Sequence, residues 1–312
     1  MSDANLETQS SFSTQKRGFF ASGQDVWQWW QEAQQSAIAA DIPPTEATWL
    51  LQQSSALSNL DVRLERFKDQ SQIELAMPLE ELVQRWQQRI QQRIPVQYLA
   101  GSTPWRNFQL KVSSAVLIPR PETELLIDLA LRLLPPDCSS PSHWTDLGTG
   151  SGAIALGLAM AFPHATIHAV DCSSEALAIA QFNAEAYTLT NRIQFYQGVW
   201  FEPLAHLKGC LAGMVSNPPY IPSQMVLELE PEVAQHEPHL ALDGGNDGLD
   251  CIRHLVTVAP EYLRSGGIWL IELMAGQAAS AVALLETNGN YRDVQIHQDL
   301  AGIERFVSAL RI

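Results

Sequence analysis

The chain has 312 residues, 46% hydrophobic and 17% charged, which is enough for one large or two ordinary globular domains. Its 34 acidic residues against 19 basic ones give a formal net charge of -15, which repels phosphate backbones and disfavours duplex nucleic acid as a partner. The four cysteines form no C-x-x-C pair, and no run approaches about 18 apolar residues. We therefore expect no metal site and no membrane span, but reduced thiols in a cytoplasmic protein.

The first hundred residues predict a tail followed by a helical domain. Residues 1–23 begin with a Ser- and Gln-rich run that lacks the apolar segment of a secretory signal, so we expect a flexible tail. Residues 24–100 are rich in Gln and Trp, and their clearest helix is predicted over 79–93, where apolar residues recur at helical spacing. Within residues 101–119, alternation from 108 to 118 predicts a hairpin that bridges to a second domain at 120–312.

Strand and helix patterns alternate through the second domain. After an amphipathic helix at 122–134, strands are predicted at residues 143–147, 166–170, 192–196, 213–216 and 268–273. The helices between and after them are predicted at 152–161, 174–187, 248–264 and 277–287, before closing strands at 291–297 and 304–309. This repetition predicts an α/β fold, a parallel sheet wound on both faces that binds ligands at the carboxyl ends of its strands.

A glycine-rich loop follows one apolar strand and opens an apolar helix; its residues are Gly148, Thr149, Gly150, Ser151 and Gly152. Glycines permit a tight turn and leave backbone N–H groups facing a ligand, although a turn without a ligand would use them too. Asp171 follows the next strand at the spacing of an acid that holds ribose hydroxyls. The loop alone suits a nicotinamide cofactor or S-adenosylmethionine. Asp146 favours the latter, because an acid there can face an ammonium but repels a diphosphate.

The run from Asn217 through Pro218 and Pro219 to Tyr220 ends another apolar strand. The prolines fix the backbone and remove two N–H donors, so carbonyl groups are left to accept hydrogen bonds. The asparagine adds a side-chain acceptor and the tyrosine a flat face. Together these groups suit a planar –NH2 group, which offers two donors and a face for stacking. A proline-stiffened turn with a packed tyrosine is the purely structural alternative.

With these two loops in view, the chain resembles the bacterial release-factor glutamine methyltransferase family over residues 95–310. The resemblance extends to R-P-E-T-E at residues 120–124 and to G-G-N-D-G-L-D at residues 244–250. It implies a Rossmann-like class I methyltransferase fold with a seven-stranded, mostly parallel sheet and a small helical domain before it. It also implies that S-adenosyl-L-methionine methylates the glutamine of the Gly-Gly-Gln motif in class I peptide chain release factors, which supports translation termination.

The resemblance assigns roles to individual residues. The loop from Gly148 to Gly152 would line the cofactor, Asp171 would hold its ribose, and Trp200 would lie near its adenine. Asn217 would touch both cofactor and substrate, while Pro218, Pro219 and Tyr220 grip the glutamine, and residues 24–100 help to bind the release factor. One departure is Val199, which stands where many methyltransferases of this fold carry an acid for the adenine amino group.

Three rival functions remain from the sequence. An adenine or cytosine amino-methyltransferase shares the Asn-Pro-Pro-Tyr run but acts on nucleic acid, which the acidic composition disfavours. A nicotinamide dehydrogenase leaves that run unexplained and lacks an evident acid–base pair for hydride transfer. A non-catalytic interaction module would retain both loops but convert no substrate.

Overall fold

A computed structural model describes residues 18–134 and 142–312 of the chain. The described residues fall into two compact units that divide between Gly101 and Ser102. Cys138 and most of the predicted tail lie outside the described residues. Among the helices of the described ranges, none combines the length and the apolarity that a bilayer crossing demands.

Within residues 18–101, the first unit contains five α-helices and a two-stranded antiparallel ladder. Its strands are β1 (Phe19–Ala21) and β2 (Ile73–Leu75), and its helices are α1 (Gly23–Ala39), α2 (Thr45–Gln53), α3 (Asn59–Arg63), α4 (Leu79–Gln92) and α5 (Val96–Ala100). A short 3-10 helix spans Arg66–Asp69. The apolar stripe that predicted a helix over 79–93 does form α4, which buries Leu82 and Trp86 in the core of this unit.

The predicted tail is too long at its carboxyl end. Phe19–Ala21 pair with Ile73–Leu75, and the Ser22 side chain accepts a hydrogen bond of 3.1 Å from the Asp25 amide at the start of α1. A serine at this position satisfies an amide that has no partner within the helix. Residues 18–23 therefore belong to the folded unit, and the prediction for residues 1–17 lies outside the described residues.

The second unit is built on a seven-stranded sheet. The strands are β5 (Ser142–Leu147), β6 (Ala165–Asp171), β7 (Ile193–Gln197), β8 (Leu211–Ser216), β9 (Leu263–Glu272), β10 (Tyr291–Gln298) and β11 (Glu304–Arg311), and β3 and β4 form a separate hairpin at Ser102–Trp105 and Phe108–Lys111. The order in the sheet is β10-β11-β9-β8-β5-β6-β7, with β5 to β9 parallel and β11 antiparallel to both β9 and β10.

Helices cover both faces of this sheet. They are α6 (Leu125–Leu133), α7 (Ala153–Ala161), α8 (Ser174–Ala186), α9 (Ser223–Val226), α10 (Pro231–His236), α11 (Asp250–Tyr262) and α12 (Ala278–Asn288). Short 3-10 helices occur at Glu122–Glu124, Glu202–Leu207 and His239–Ala241. Every residue of β8 is buried, as expected for a central parallel strand with a hydrophobic core on each side. The fold agrees with the predicted α/β architecture.

The predicted hairpin is displaced. Strand pairing runs from Ser102 to Lys111, and only Phe108–Lys111 of the predicted range is strand, because the alternating residues after Lys111 have no partner strand. Val112, Val116 and Ile118 are buried without belonging to a strand. The alternating apolar residues after Lys111 therefore indicate a buried segment without regular secondary structure, and not a strand.

Candidate active site

A cavity of about 410 Å³ lies where the direction of the strand order reverses. From β5 the chain first adds β6 and β7 on one side of that strand, and then adds β8 and β9 on its other side. The order of the strands therefore reverses between β5 and β8, and parallel sheets of this kind bind ligands at that position. The cavity is lined by residues from both strand ends and their neighbours, including Gly148, Gly150, Asp171, Trp200, Asn217 and Pro219.

The glycine loop after β5 is arranged around Asp171. Gly148, Gly150 and Gly152 all have positive φ angles, of 76°, 54° and 83°, which side chains disfavour. The Gly150 amide donates to Asp171 Oδ2 at 2.8 Å, and the Ser173 amide donates to Oδ1 at 2.9 Å. The carboxylate at the end of β6 thus fixes the loop and still has lone pairs that face the cavity, where ribose hydroxyls can donate to it.

Asp146 does not line the cavity, contrary to the expectation that it faces an ammonium group. It is fully buried, and its Oδ2 accepts hydrogen bonds from the Thr149 hydroxyl at 2.5 Å and the Ala155 amide at 3.0 Å. Burial raises the pKa of this carboxyl to about 7. Its Oδ1 accepts no hydrogen bond from any described residue. The residue therefore ties β5 to the glycine loop and to the first turn of α7.

Three residues of the predicted cofactor loop support the cavity without lining it. Thr149 and Ser151 are buried; the former donates to Asp146, and the carbonyl of the latter accepts from Asn183 Nδ2 at 2.8 Å. Gly152 begins α7, where an added Cβ would lie 3.1 Å from the Cβ of Ala180. The Thr149 hydroxyl, the Ser151 carbonyl and the close approach of Gly152 to Ala180 thus position the backbone of the loop.

Trp200 packs over the other side of the loop. Its ring would lie 3.7 Å from a Cβ added at Gly148, and both residues line the cavity. Val199 also lines the cavity and is 47% exposed, so an apolar side chain occupies the position of the expected acid. The aromatic face and the apolar neighbour suit a nucleobase, with Asp171 placed for its ribose.

The loop after β8 is held mainly by a distant segment. Ile221 forms a bridge with Asp243, and the Gly244 amide donates to the Ile221 carbonyl at 2.8 Å. Gln277 Nε2 donates to the Tyr220 carbonyl at 2.9 Å. The G-G-N-D-G-L-D run therefore supports the Asn-Pro-Pro-Tyr loop, although its residues 244–250 are not among those that line the cavity.

Side chains at the carboxyl ends of β8 and β9 form one hydrogen-bonded chain. Asn217 Nδ2 donates to Thr123 Oγ1 at 3.3 Å, and the Thr123 hydroxyl donates to Glu272 Oε2 at 2.6 Å. The Tyr220 hydroxyl donates to Glu272 Oε1 at 3.2 Å. Burial raises the pKa of both Glu272 and Tyr220, and the nearby carboxylate raises that of the tyrosine further.

Pro218 and Tyr220 do not line the cavity, whereas Asn217 and Pro219 do. Asn217 is half-buried and Pro218 is buried. Of the predicted substrate residues, Asn217 and Pro219 thus line the cofactor cavity, and Pro218 and Tyr220 adjoin them in the same loop.

Arg120 has a defined partner. Its Nη2 lies 2.7 Å from Glu237 Oε1, and that carboxylate side chain is only 1% exposed. Burial raises the pKa of Glu237, an effect that the guanidinium opposes. This ion pair joins the R-P-E-T-E segment to the loop after α10. Through its Nη2 atom, the arginine thus holds together two segments near the cavity.

Sequence reasoning left Thr123 and Glu272 without a role. The signal for Glu272 was present, because an acid directly follows four apolar residues at the end of β9. Parallel pairing places Ser216 beside Ile271, so Asn217 and Glu272 leave neighbouring strands at the same level. For Thr123 the sequence carries no comparable signal, since it reaches the site from a 3-10 helix far away in the chain.

The lining residues fit S-adenosylmethionine better than a dinucleotide. Asp171 offers acceptors for ribose hydroxyls, and Trp200 offers a face for adenine. The Gly150 amide already donates to Asp171 Oδ2, so this amide of the loop is not open to a phosphate oxygen of a dinucleotide. Within the described ranges, no group of three His, Cys, Asp or Glu side chains is placed to hold a metal ion.

Known proteins resemble this chain along most of its length. Residues 124–236 match the family described as "Methyltransferase small domain". A release factor glutamine methyltransferase of Synechocystis sp. is 53% identical over 93% of this chain and 97% of the relative, and one of Thermosynechococcus vestitus is 49% identical over 92% and 99%.

A solved structure shares the fold. The hMettl16 catalytic domain, solved in complex with MAT2A 3'UTR hairpin 6, has a TM-score of 0.53 and 13% identity, covering 83% of this chain and 88% of that one. At this identity the likeness concerns the fold alone. The two relatives, in contrast, match in sequence over more than nine tenths of this chain and of their own length, and the chain belongs to the release factor glutamine methyltransferase family.

Proposed function

We propose that this protein transfers a methyl group from S-adenosylmethionine to the side-chain amide nitrogen of the glutamine in the Gly-Gly-Gln motif of class I peptide chain release factors. The observation that carries the proposal is the position of Asn217. Asn217 lines the same cavity as Asp171, Gly148 and Gly150, directly after β8, the strand next to β5. An amide-binding group and a cofactor-binding loop thus meet at one point.

When bound, S-adenosylmethionine supplies an electrophilic methyl group on a sulfonium that leaves as a neutral thioether. The glutamine amide is a poor nucleophile, because its nitrogen lone pair is delocalised. Asn217 Oδ1 and the Pro218 carbonyl would accept the two N–H bonds and turn the nitrogen towards the cavity. What the chain contributes is mainly positioning, which is worth up to about 7–11 kcal/mol in favourable cases.

No general base is assigned to the chain. Glu272 is the carboxylate nearest to Asn217 along the hydrogen-bonded chain, but both of its oxygens accept hydrogen bonds, from Thr123 and Tyr220. We therefore expect the amide proton to leave after methyl transfer, when the nitrogen is acidic enough to lose it to water.

The direct test is mass spectrometry on a purified class I release factor after incubation with this protein and S-adenosylmethionine. The expected result is one added methyl group on the Gly-Gly-Gln glutamine. Asn217→Ala should lower kcat by about 100-fold or more while leaving cofactor affinity largely unchanged, because it removes an acceptor used at the reacting nitrogen. Asn290→Ala, outside the cavity lining, is the matched control.

Two outcomes would count against this assignment. An unmodified release factor would redirect the search to other amide or amino substrates, including nucleic acid bases. Near-normal turnover by the Asn217→Ala enzyme would remove the proposed role of that side chain.

The first unit is proposed to recognise the release factor outside the glutamine. Two observations support this proposal. The first unit has its own hydrophobic core, and the residues that line the catalytic cavity all belong to the second unit, so the first unit is free to serve a different task. A groove of about 430 Å³ in this unit includes Trp30, Asn59 and Arg63 in its lining. Arg63→Glu should raise KM for an intact release factor but not for a short Gly-Gly-Gln peptide; equal effects on both would contradict this role.

A release-factor substrate also fits the expected cytoplasmic location. Release factors act during translation, so the enzyme would meet them in the cytoplasm. Fractionation of cells that carry a tagged enzyme, followed by blotting, tests this location.

A further inference from the structure

The two ends of the Asn217 side chain have opposite hydrogen-bonding character. The oxygen accepts, whereas the NH2 group donates, and a rotation of 180° about the last bond exchanges them. A substrate –NH2 group needs an acceptor. The proposed function therefore requires that something hold the Asn217 oxygen on the substrate side.

Thr123 has a hydroxyl hydrogen that is already committed. That hydrogen points to Glu272 Oε2 at 2.6 Å, so the hydroxyl oxygen can only accept from its other neighbour. The neighbour is Asn217, whose Nδ2 lies 3.3 Å away. Donation to a carboxylate is stronger than donation to a neutral amide oxygen, so the carboxylate decides the direction of the chain.

We propose that Thr123 and Glu272 are positioning residues that direct the Asn217 side-chain oxygen towards the substrate amide. This inference rests on the proposed function, since it presumes that Asn217 accepts from the glutamine nitrogen. Glu272 is the fixed end of the chain, Thr123 is the intermediate, and Asn217 is the group that meets the substrate.

Burial protects this arrangement from water. Thr123 is 4% exposed and Glu272 is 2% exposed, so solvent does not compete for their hydrogen bonds. Glu272 is itself held by a second donor, the Tyr220 hydroxyl at 3.2 Å. A carboxylate with two protein donors keeps its orientation, and that orientation is passed on to the asparagine.

The backbone supports the same geometry independently. Ser216 pairs with Ile271 in parallel register, and the Ser216 hydroxyl donates to the Leu147 carbonyl at 2.6 Å. The ends of β5, β8 and β9 are thereby aligned, which places Asn217 and Glu272 at one level of the sheet. The threonine bridges the remaining gap between them.

The decisive variant is Thr123→Val, which keeps the shape of the side chain and removes the hydroxyl. With a release factor as substrate, we expect kcat to fall between about 10-fold and about 100-fold, because the asparagine can then rotate. The KM for the release factor and the Kd for S-adenosylmethionine should stay within about twofold. Thr123→Ser retains the hydroxyl and should restore most of the activity.

Thr145→Val is the matched control. Thr145 is fully buried and its hydroxyl donates to the His168 carbonyl at 2.8 Å, away from the hydrogen-bonded chain. Its loss should lower thermal stability but leave kcat unchanged. Equal losses of kcat in Thr123→Val and Thr145→Val would show a general effect of buried hydroxyls and would overturn the inference.

The double variant separates this inference from the proposed function. If Thr123 acts through Asn217, adding Thr123→Val to Asn217→Ala lowers kcat no further. Independent, multiplicative losses would overturn the positioning role while leaving the function intact. Near-normal kcat in Asn217→Ala alone would instead contradict the proposed function itself.

Discussion

The two loops that border the cavity are built by different means. The loop after β5 is held by its own backbone and by residues near it in the chain, with Asp146 before it and Asp171 one strand later. The loop after β8 is held by side chains from remote segments, namely Thr123, Gln277 and, through Asn217 and Tyr220, Glu272. Cofactor binding is thus encoded locally, whereas placement of the reacting amide depends on tertiary contacts.

The largest effect is expected when the support of the loop after β8 is disturbed. Gly248 has a φ of 75°, and a Cβ added there would lie 2.2 Å from the Tyr220 carbonyl oxygen and 2.5 Å from Gln277 Nε2. We expect Gly248→Ala to lower kcat by about 100-fold or more, because the loop after β8 must move to make room for the alanine side chain. Cofactor affinity, measured by calorimetry, should change little.

Gly266→Ala is the control for backbone strain. Gly266 has a φ of 74°, close to that of Gly248, but nothing lies within 4 Å of an added Cβ. The two variants share the strain and differ only in the collision. A comparable kcat loss in both would show that strain, and not displacement of the loop, is responsible.

Asp171→Ala tests the first loop. Removing the carboxylate deprives the Gly150 amide of its acceptor and any ribose of its partner. We expect the Kd for S-adenosylmethionine to rise between about 10-fold and about 100-fold, equivalent to about 1.4–2.8 kcal/mol. At saturating cofactor, kcat should stay within a few-fold of the unaltered enzyme. A loss confined to kcat would show that the two loops do not divide their tasks in this way.

Acid should weaken the strand that carries Asp171. His168 lies within β6, is 1% exposed, and has its pKa lowered from 6.5 to about 4 by burial, with His143 and His206 adding to the effect. Between these values the unfolded chain takes up a proton that the folded chain refuses, so stability falls as the pH drops from about 6.5 towards about 4.

The measurement is the difference in Tm between the unaltered protein and His168→Gln across that pH window. Comparing two proteins removes the contribution of Asp146, whose raised pKa makes stability fall as the pH rises from about 4 to about 7. We expect the advantage of the histidine protein to shrink as the pH falls. A difference that is constant with pH would show that His168 does not titrate differently on folding.

The smallest effect is expected outside both loops. Ser22→Ala removes the cap of α1 and should lower the free energy of unfolding by about 1 kcal/mol, without changing kcat or the cofactor Kd. Ser71→Ala, at an exposed position, is the control for denaturant unfolding. A flexible tail over residues 1–23 could be removed without effect, but deletion through Gly23 should destabilise the first unit, because it removes β1 and this cap.

Much of the architecture could be read from the sequence. The family, the methyl-transfer function and the S-adenosylmethionine cofactor, expected from two loops and two further motifs, agree with the relatives. The α/β fold, expected from the alternating strand and helix patterns, agrees with the structure. The alternative of a nucleic acid base methyltransferase is not favoured by them. A central strand such as Leu211–Ser216 was predictable because it contains a short apolar run followed by a turn.

Other features could not be read, for physical reasons. In the sequence Asp146 precedes the glycine loop as a cofactor-binding acid would. The orientation of its side chain, however, is set by hydrogen bonds from the Thr149 hydroxyl and the Ala155 amide. The pairing of Phe19–Ala21 depends on a partner strand more than fifty residues away, which no local pattern reports. Thr123 resembles any threonine at a helix start until the fold places Glu272 against it.

The shared use of one carboxylate constrains how this enzyme can change. Because Glu272 accepts from both Thr123 and Tyr220, replacing the tyrosine to admit a different substrate would leave a buried carboxylate oxygen without its donor. Single substitutions at the substrate loop therefore carry a stability cost that has nothing to do with the new substrate. Evolution or redesign towards another amide would have to begin behind the loop, with residues 123 and 272 altered together, before the residues that touch the substrate are free to vary.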